Sequence, residues 1–338
     1  MREILYNNTA MKKIVGSNLL GQALLLSATL VWGSSFVILK QTLEGANTLY
    51  VIALRFLASA ILLSLICIKK LIKLDKKTVF RGVVLGLILS CAYISQTFGL
   101  TLTTPGRNAF LTSSYCVMCP FLLWLIFKQK PKSYNVLSAL LCIVGIGMIA
   151  LSNDGTAGEL ALLGDGLTLI SAVFFGLQII FIGRFQETGS DSMQLLLVEL
   201  YVVGIIHTFG SIMVELPQTG IAGYTLNSEQ IWKIVYLTLA CTLFAQFAQI
   251  TGQKLTTTTQ SSIILSLEAV FGVIFSIIFG GEKMTALLII GFVIVFVAMM
   301  ISELKPDFFR LFRRKTVDET PKELIETEKT ELKEQKNE

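Results

Sequence analysis

The sequence predicts an all-helical membrane protein, with ten transmembrane helices arranged as two inverted repeats of five. Three observations lead there. The chain of 338 residues is 53% hydrophobic and only 15% charged, where a soluble domain carries roughly 25% charged residues. The apolar residues gather into ten runs, at 18–39, 48–68, 79–100, 106–127, 134–151, 163–183, 193–214, 231–250, 260–279 and 284–301. Each is close to the roughly 20 residues a helix needs to cross a ~30 Å hydrocarbon core. Finally, the segment 96–117 recurs 153 positions later, at 249–270. Gln96/Gln249, Gly99/Gly252, Leu102/Leu255, Thr103/Thr256, Thr104/Thr257, Ser113/Ser266 and Val117/Val270 coincide without a gap.

Taken in order, residues 1–17 form a cytoplasmic N-terminus, 18–152 hold the first five runs, 153–303 hold the second five, and 304–338 are a charged cytoplasmic tail. The N-terminus does not read as a cleaved signal, because the first run is too long for one and lacks a small-residue cleavage site. Lysine and arginine collect in cytoplasmic loops. The 2–3 connection carries Lys69, Lys70, Lys73, Lys76, Lys77 and Arg81, and the 4–5 connection Lys128, Lys130 and Lys132. Arg2, Lys12 and Lys13 precede the first run, and Lys305, Arg310, Arg313, Arg314 and Lys315 follow the last. The opposite set is sparse (Lys40, Arg107, Lys233, Lys283), and the 5–6 connection holds Asp154, Glu159 and Asp165 without a basic residue. Both termini are therefore expected in the cytoplasm. Five spans per half is an odd number, so the second half enters from the other side and the repeats are inverted, an arrangement that usually carries its site between them.

Several chemistries are disfavoured. The spans use up most of the chain and leave no room for a soluble catalytic domain. Cys67, Cys91, Cys116, Cys119, Cys142 and Cys241 all fall in apolar runs and read as small buried hydrophobes. Cys116 and Cys119 form a CxxC without a second pair, and His207 is the single histidine, which is thin material for a metal site. No nucleophile–base pair or metal triad of the kind an enzyme needs is evident. The reading is a non-enzyme without cofactor or metal, whose partners are a small-molecule substrate and the lipid bilayer, not nucleic acid.

Local strings carry a resemblance. They are Trp32-Gly33-Ser34-Ser35-Phe36-Val37 in span 1, Arg55-Phe56 in span 2, and Gly99-Leu100 running into Ala109-Phe110-Leu111-Thr112-Ser113. Ser266-Leu267-Glu268-Ala269-Val270-Phe271 and the turn Gly281-Glu282-Lys283 follow in the second half. In order and spacing, over about residues 18–303, the chain resembles the EamA family of the drug/metabolite transporter superfamily. It departs at Ala269, where the family has proline, and at Lys128-Gln129-Lys130, where a G-E-[RK] turn is expected. The resemblance implies export or uptake of small polar metabolites. With the inverted repeat, the expectation is a plasma-membrane transporter of a small polar metabolite, amino-acid-like or related, working by alternating access, with export as the direction taken. The rival readings are a nucleotide-sugar or organophosphate exchanger of the same superfamily, and a non-transporting membrane receptor.

Polar residues inside spans are costly and turn inward, and positions i, i+4 and i+7 share a helix face. Span 4 shows such a face at Asn108, Thr112 and Tyr115, with the mates Ser261, Leu265 and Glu268 in span 9. Tyr93 and Gln96 in span 3 have the mates Gln246 and Gln249 in span 8. Ala28, Trp32 and Ser35 in span 1 match Ser171, Phe175 and Gln178 in span 6, 143 positions on. These faces predict one cavity lined by spans 1, 3, 4, 6, 8 and 9, with spans 2, 5, 7 and 10 mostly outside it. The candidate substrate-binding residues are Trp32, Ser35, Tyr93, Gln96, Asn108, Tyr115, Phe175, Gln178, Gln246, Gln249 and Glu268. Against them stands the ordinary reading, in which such residues bond or pack neighbouring helices, and Asn108 and Ser261 cap their own.

Glu268 sits near mid-span, where a charged carboxylate costs on the order of 3 kcal/mol. It must face water or hold a proton, so it is the candidate for proton coupling, unless it is a neutral packing residue. Arg55 either snorkels to the interface, pairs with a carboxylate such as Glu199, or orients an anionic substrate. Glu199 and His207 lie on span 7 and read as structural. Gly82 and Gly86 form a GxxxG, and Gly145 and Gly147 lie in span 5, a pattern that can bring helices close. Phe308, Phe309, Leu311 and Phe312 among Arg310, Arg313 and Arg314 read as an interfacial anchor on anionic lipid, followed by a solvated charged tail.

The loop charges yield a direct expectation. Cysteines substituted at Lys73 and at Thr156 should react with an impermeant reagent from opposite sides of the membrane, and labelling from the same side would overturn the ten-span count.

Overall fold

A computed structural model of the chain describes residues 2–71, 74–152, 159–256 and 258–304, with side chains described over 18–69, 74–152, 159–256, 261 and 264–302. Lys73, Thr156 and the tail beyond residue 304 lie outside them, and with these the expected lipid anchor. Every regular element among the described residues is helical. In chain order the long helices are α1 Arg2–Thr42, α2 Thr48–Ile66, α3 Lys76–Leu102, α4 Pro105–Phe127 and α5 Ser133–Ala150. They continue as α6 Glu159–Glu187, α7 Ser192–Thr219, α8 Ser228–Leu255, α9 Thr258–Gly280 and α10 Ala286–Leu304. Eight of them, α1 (from Asn18) to α8, are long and apolar enough to cross a membrane. Over the described residues α9 and α10 offer the shorter apolar stretches Ile264–Gly280 and Ala286–Ser302.

The boundaries have local causes. Asp75 caps α3 by accepting the Thr78 amide at 2.5 Å, and this bond holds its carboxyl below the usual carboxylate range. Thr104 caps α4 by accepting from the Arg107 amide at 3.3 Å, one residue before Pro105 at the first helical position. Asp191 caps α7, and Asn227 with Gln230 forms a capping box on α8. Three helices are irregular inside. α4 breaks stride at Ser114, α7 has a π-helical turn over Ser211–Glu215, and α8 widens to a π-helical stretch over Leu237–Phe244, a distortion that recurs at functional sites.

The bundle buries small residues between helices and turns large apolar ones outward. Leu65, Ile66, Phe80, Ile143, Met213, Trp232 and Ile278 are exposed, far more apolar surface than a water-soluble monomer shows. α3 packs on α6 and α7, α1 on α8 and α9, α4 on α6 and α9, α2 on α7 and α8, and α5 on α10. Glycine permits the tightest of these approaches. A Cβ on Gly99 of α3 would stand 2.8 Å from the Gly164 carbonyl oxygen of α6, and one on Gly252 of α8 would stand 2.9 Å from the Gly21 carbonyl oxygen of α1. Gly145 and Gly291 join α5 to α10 in the same way. The GxxxG of α3 works as its spacing suggests, since a Cβ on Gly82 or Gly86 would meet Val198 or Val202 of α7 at 2.5 Å. Gly147 borders open space and joins nothing.

Not every cysteine is a buried hydrophobe: Cys116, Cys142 and Cys241 are buried, Cys67 and Cys119 are half-buried, and Cys91 is exposed on the outer face of α3. Its helix turns one side to the surroundings, and a small apolar group is no worse there than leucine.

The glycine contacts predict a graded response. Gly99→Ala should destabilise the protein by about 1–3 kcal/mol, because the Gly164 backbone cannot yield to the new methyl. Gly147→Ala should be neutral or slightly stabilising. Thermal unfolding in detergent separates the two.

Candidate functional site

The polar faces meet at one cavity in the middle of the bundle. It is lined by Trp32, Ser35, Phe36 and Leu39 of α1, Leu89, Tyr93 and Gln96 of α3, and Thr112 and Tyr115 of α4. Phe175, Gln178 and Ile179 of α6, Gln246 and Gln249 of α8, Glu268 of α9 and Arg55 of α2 complete it. Its volume is about 50 Å³, a narrow space that suits a small solute.

Ten of the eleven residues expected at one site lie on this wall. Asn108 does not. It is wholly buried and ties helices together, donating to the Gln96 carbonyl at 3.2 Å and to Thr168 Oγ1 at 2.7 Å. Its place, one turn nearer the start of α4 than Thr112, falls where α3, α4 and α6 are already in contact. It does not cap its helix either, since Thr104 does so. Ser261 is buried near the start of α9, its hydroxyl 2.6 Å from that of Thr256.

Sequence reasoning placed α2 mostly outside the cavity, yet Arg55 is part of its wall. It does not snorkel, being 1% exposed, and it does not pair with Glu199. Its Nε donates to Thr242 Oγ1 at 2.8 Å, and its guanidinium carbon stands 5.4 Å from the Phe56 ring centre and 5.2 Å from that of Tyr93, within cation–π range. The π-helical stretch of α8 makes this possible. It carries Thr242, and it also offers the Cys241 carbonyl to Trp32 Nε1 at 2.9 Å and the Thr238 carbonyl to Ser59 at 3.0 Å. An intramembrane arginine beside a polar face was the available signal. Its direction depended on a helix irregularity that no periodicity reveals.

The remaining groups divide into held and free. Gln96 Nε2 donates to Thr112 Oγ1 at 3.1 Å, and Ser35 is bonded to the Trp32 carbonyl. Tyr93 is wedged edge-on between Phe56 and Phe175, at 4.7 and 5.5 Å between ring centres. Gln178 Nε2 donates to Glu199 Oε1 at 3.0 Å, so Glu199, wholly buried on α7 outside the cavity, holds a cavity residue from behind. His207 is further from the site, its Nδ1 2.7 Å from the Val203 carbonyl oxygen. Among the described residues Gln249 and Glu268 have no hydrogen bond to the protein, and no cation lies within ion-pair distance of the Glu268 carboxyl.

A second, wider space adjoins the first and shares Tyr115 and Ile179 with it. It is lined by Cys116 and Cys119 of α4, Gly183, Gln186 and Glu187 of α6, Gln253 of α8, and Ser261 and Leu265 of α9. No group of three metal-ligating side chains occurs among the described residues.

Comparison with known proteins agrees with this architecture. The model of the EamA-like transporter family matches the chain twice, over residues 19–151 and 162–303. An uncharacterized transporter of Archaeoglobus fulgidus is 28% identical over 281 residues, covering 82% of this chain and 83% of that protein. A crystal structure of a protein described no further superposes with a TM-score of 0.62 at 13% identity, covering 87% of this chain and 99% of its own. That last likeness is one of fold.

The wall predicts a pattern of water access. Cysteines introduced at Gln246 and Gln249 should react with a small polar thiol reagent, whereas one at Asn108 should stay inert in folded protein. Equal reactivity at all three positions would dissolve the distinction between lining and tie.

Proposed function

The chain belongs to the EamA-like transporter family, and we propose that it exports a small zwitterionic, amino-acid-like metabolite across the plasma membrane by alternating access, in exchange for protons. The observation that carries this reading is a guanidinium and a carboxyl group, neither in an ion pair among the described residues, on one narrow wall. Arg55 and Glu268 both line the cavity and form no ion pair with each other. Two such groups in an apolar interior are expensive unless a ligand of complementary charge completes them. A carboxylate on the guanidinium and an ammonium on the Glu268 carboxylate would do so, with Trp32, Tyr93, Tyr115 and Phe175 around the apolar part. A single guanidinium is little for a nucleotide-sugar or a sugar phosphate, which favours the zwitterion over the exchanger reading.

Alternating access draws support from the helix pairings. Adding five to each helix number turns α3·α6 into α8·α1, α4·α6 into α9·α1 and α3·α7 into α8·α2, and returns α2·α7, α4·α9 and α5·α10 to themselves. The glycine pair Gly99/Gly164 becomes Gly252/Gly21 under the same exchange. A pseudo-two-fold axis relating two five-helix repeats accounts for all of these. With an odd number of spans per repeat such an axis would lie in the membrane plane, and the loop charges support a cytoplasmic position for both termini. Proton exchange follows if ammonium and proton compete for one carboxyl, so that an inward proton gradient drives the metabolite out.

Reconstituted protein tests this reading. A zwitterion should bind more tightly than the amine or the acid alone, and its binding should weaken as the pH falls and Glu268 takes up a proton. Arg55→Leu should lose about tenfold to a hundredfold in affinity, the worth of a charge-assisted hydrogen bond. Glu268→Gln should fold normally yet no longer accumulate substrate against a pH gradient. Wild-type accumulation by that variant would make the carboxyl structural and move coupling elsewhere, to His207 for instance.

A further inference from the structure

We infer that the bundle carries a charged latch at one end only, which makes the state closed at that end and open at the other the resting state of the protein. This rests on the alternating-access reading above, but not on any substrate. Three helices give the same order of layers. Along α6, Asp165 comes first, then Phe175, Gln178 and Ile179 on the cavity, then Gly183, Gln186 and Glu187 on the wider space. Along α4 the order is Arg107, then Thr112 and Tyr115, then Cys116 and Cys119. Along α9 it runs the other way, from Ser261 and Leu265 through Glu268 to Ser276. Asp165 and Glu187 are about 33 Å apart along their helix at 1.5 Å per residue, the full thickness of a membrane core. The wider space is thus a vestibule at one end, reaching solvent at the exposed Glu187 side chain.

The other end is closed by side chains from three directions converging on the turn between α3 and α4. Lys40 from the end of α1 donates to the carbonyls of Leu100, Thr101 and Thr103 at 2.7, 2.8 and 3.1 Å, a cation on a helix C-terminus. Asp165 from the start of α6 accepts from Thr103 Oγ1 at 2.8 Å and forms an ion pair with Arg107. Both members of the pair are buried, at 0% and 6% side-chain exposure. Glu282, in the turn between α9 and α10, accepts from Thr104 Oγ1 at 2.6 Å, from the Gly106 amide at 2.9 Å and from the Ser276 hydroxyl.

The repeat supplies an internal comparison. The positions equivalent to Lys40, Arg107, Asp165 and Glu282 are Gly183, Gln260, Gln22 and Gln129. None is charged. Two nearly equivalent repeats would leave the two end-closed states close in energy. Four charges at one end and none at the matching positions remove that balance, because they tie the α3–α4 turn to α1, α6 and the α9–α10 turn at that end, including one buried ion pair.

Native Cys119, half-buried on the vestibule wall, reports the result. In vesicles of each orientation, with the labelled peptide identified by mass, wild-type Cys119 should react with an impermeant maleimide from the vestibule side alone. Asp165→Asn and Arg107→Gln should each slow that reaction about tenfold as the population shifts towards the vestibule-closed state. The charge-swapped double variant, Arg107→Asp with Asp165→Arg, should return to within about twofold of wild type. Should the buried substitutions prevent folding, the half-buried Lys40→Gln and Glu282→Gln should slow labelling in the same direction. Folded variants that label at the wild-type rate overturn the latch and leave alternating access standing. Wild-type labelling from both sides overturns alternating access itself, whereas labelling from neither overturns the open vestibule and with it the resting state inferred here.

Discussion

Inside a hydrocarbon layer a polar group cannot turn to water, so it must find its partner within the protein. Nearly everything specific in this molecule follows from that constraint. The outer faces of the helices are left to leucine, isoleucine, valine and phenylalanine, and the amides, hydroxyls and charges are driven to the bundle axis. There they sort by what they find. Gln96 finds Thr112, Asn108 finds Thr168, Gln178 finds Glu199, and Arg55 finds Thr242 and two aromatic faces. Glu268 and Gln249 find nothing among the described residues. A group left over in a fully packed interior is the mark of a place where something else belongs.

The helix contacts give that leftover space its shape. Gly99 with Gly164 towards the latched end and Gly21 with Gly252 towards the vestibule end let backbones touch, and Gly145 with Gly291 does so for the α5·α10 pair. Close approach at those levels leaves the middle of the bundle to wider side chains, which stand apart and enclose the cavity. The π-helical stretch of α8 adds the asymmetry. It brings a hydroxyl and carbonyls to bear on α1 and α2, and so turns an arginine that faces no carboxylate into part of the wall.

Two buried groups on α7 remain outside this account of transport. Glu199 Oε2 and His207 Nε2 have no hydrogen-bond partner among the described residues. Glu199 touches the site only through Gln178, so its chemistry reaches the cavity as an orientation of that amide. His207 lies two helical turns further along the same helix, and the geometry connects it with nothing in the cavity.

The all-helical character was legible in the sequence because it depends on local quantities: the length of an apolar run, the period of a helix, the place of a charge. The repeat was legible as well, since matched polar faces survive in residue identity, and ten of eleven candidate positions fell on one wall for that reason. The exceptions are instructive. Asn108 has the same face and period as Thr112 and Tyr115, yet it lies where three helices already touch, so its amide serves the protein rather than the cavity. Arg55 has the sequence context of a snorkelling or paired residue, and only the widened turn of α8 decided otherwise. Lys40, Arg107 and Asp165 read in sequence as loop charges that set topology, and Glu282 as part of a turn shared with the family. Their meeting around one turn joins residues up to 242 positions apart, and distances of that kind are set by how helices pack. Sequence alone determined which groups had to turn inward. Tertiary packing decided which of them would be satisfied there, because satisfaction depends on the neighbour that arrives and not on the residue that waits.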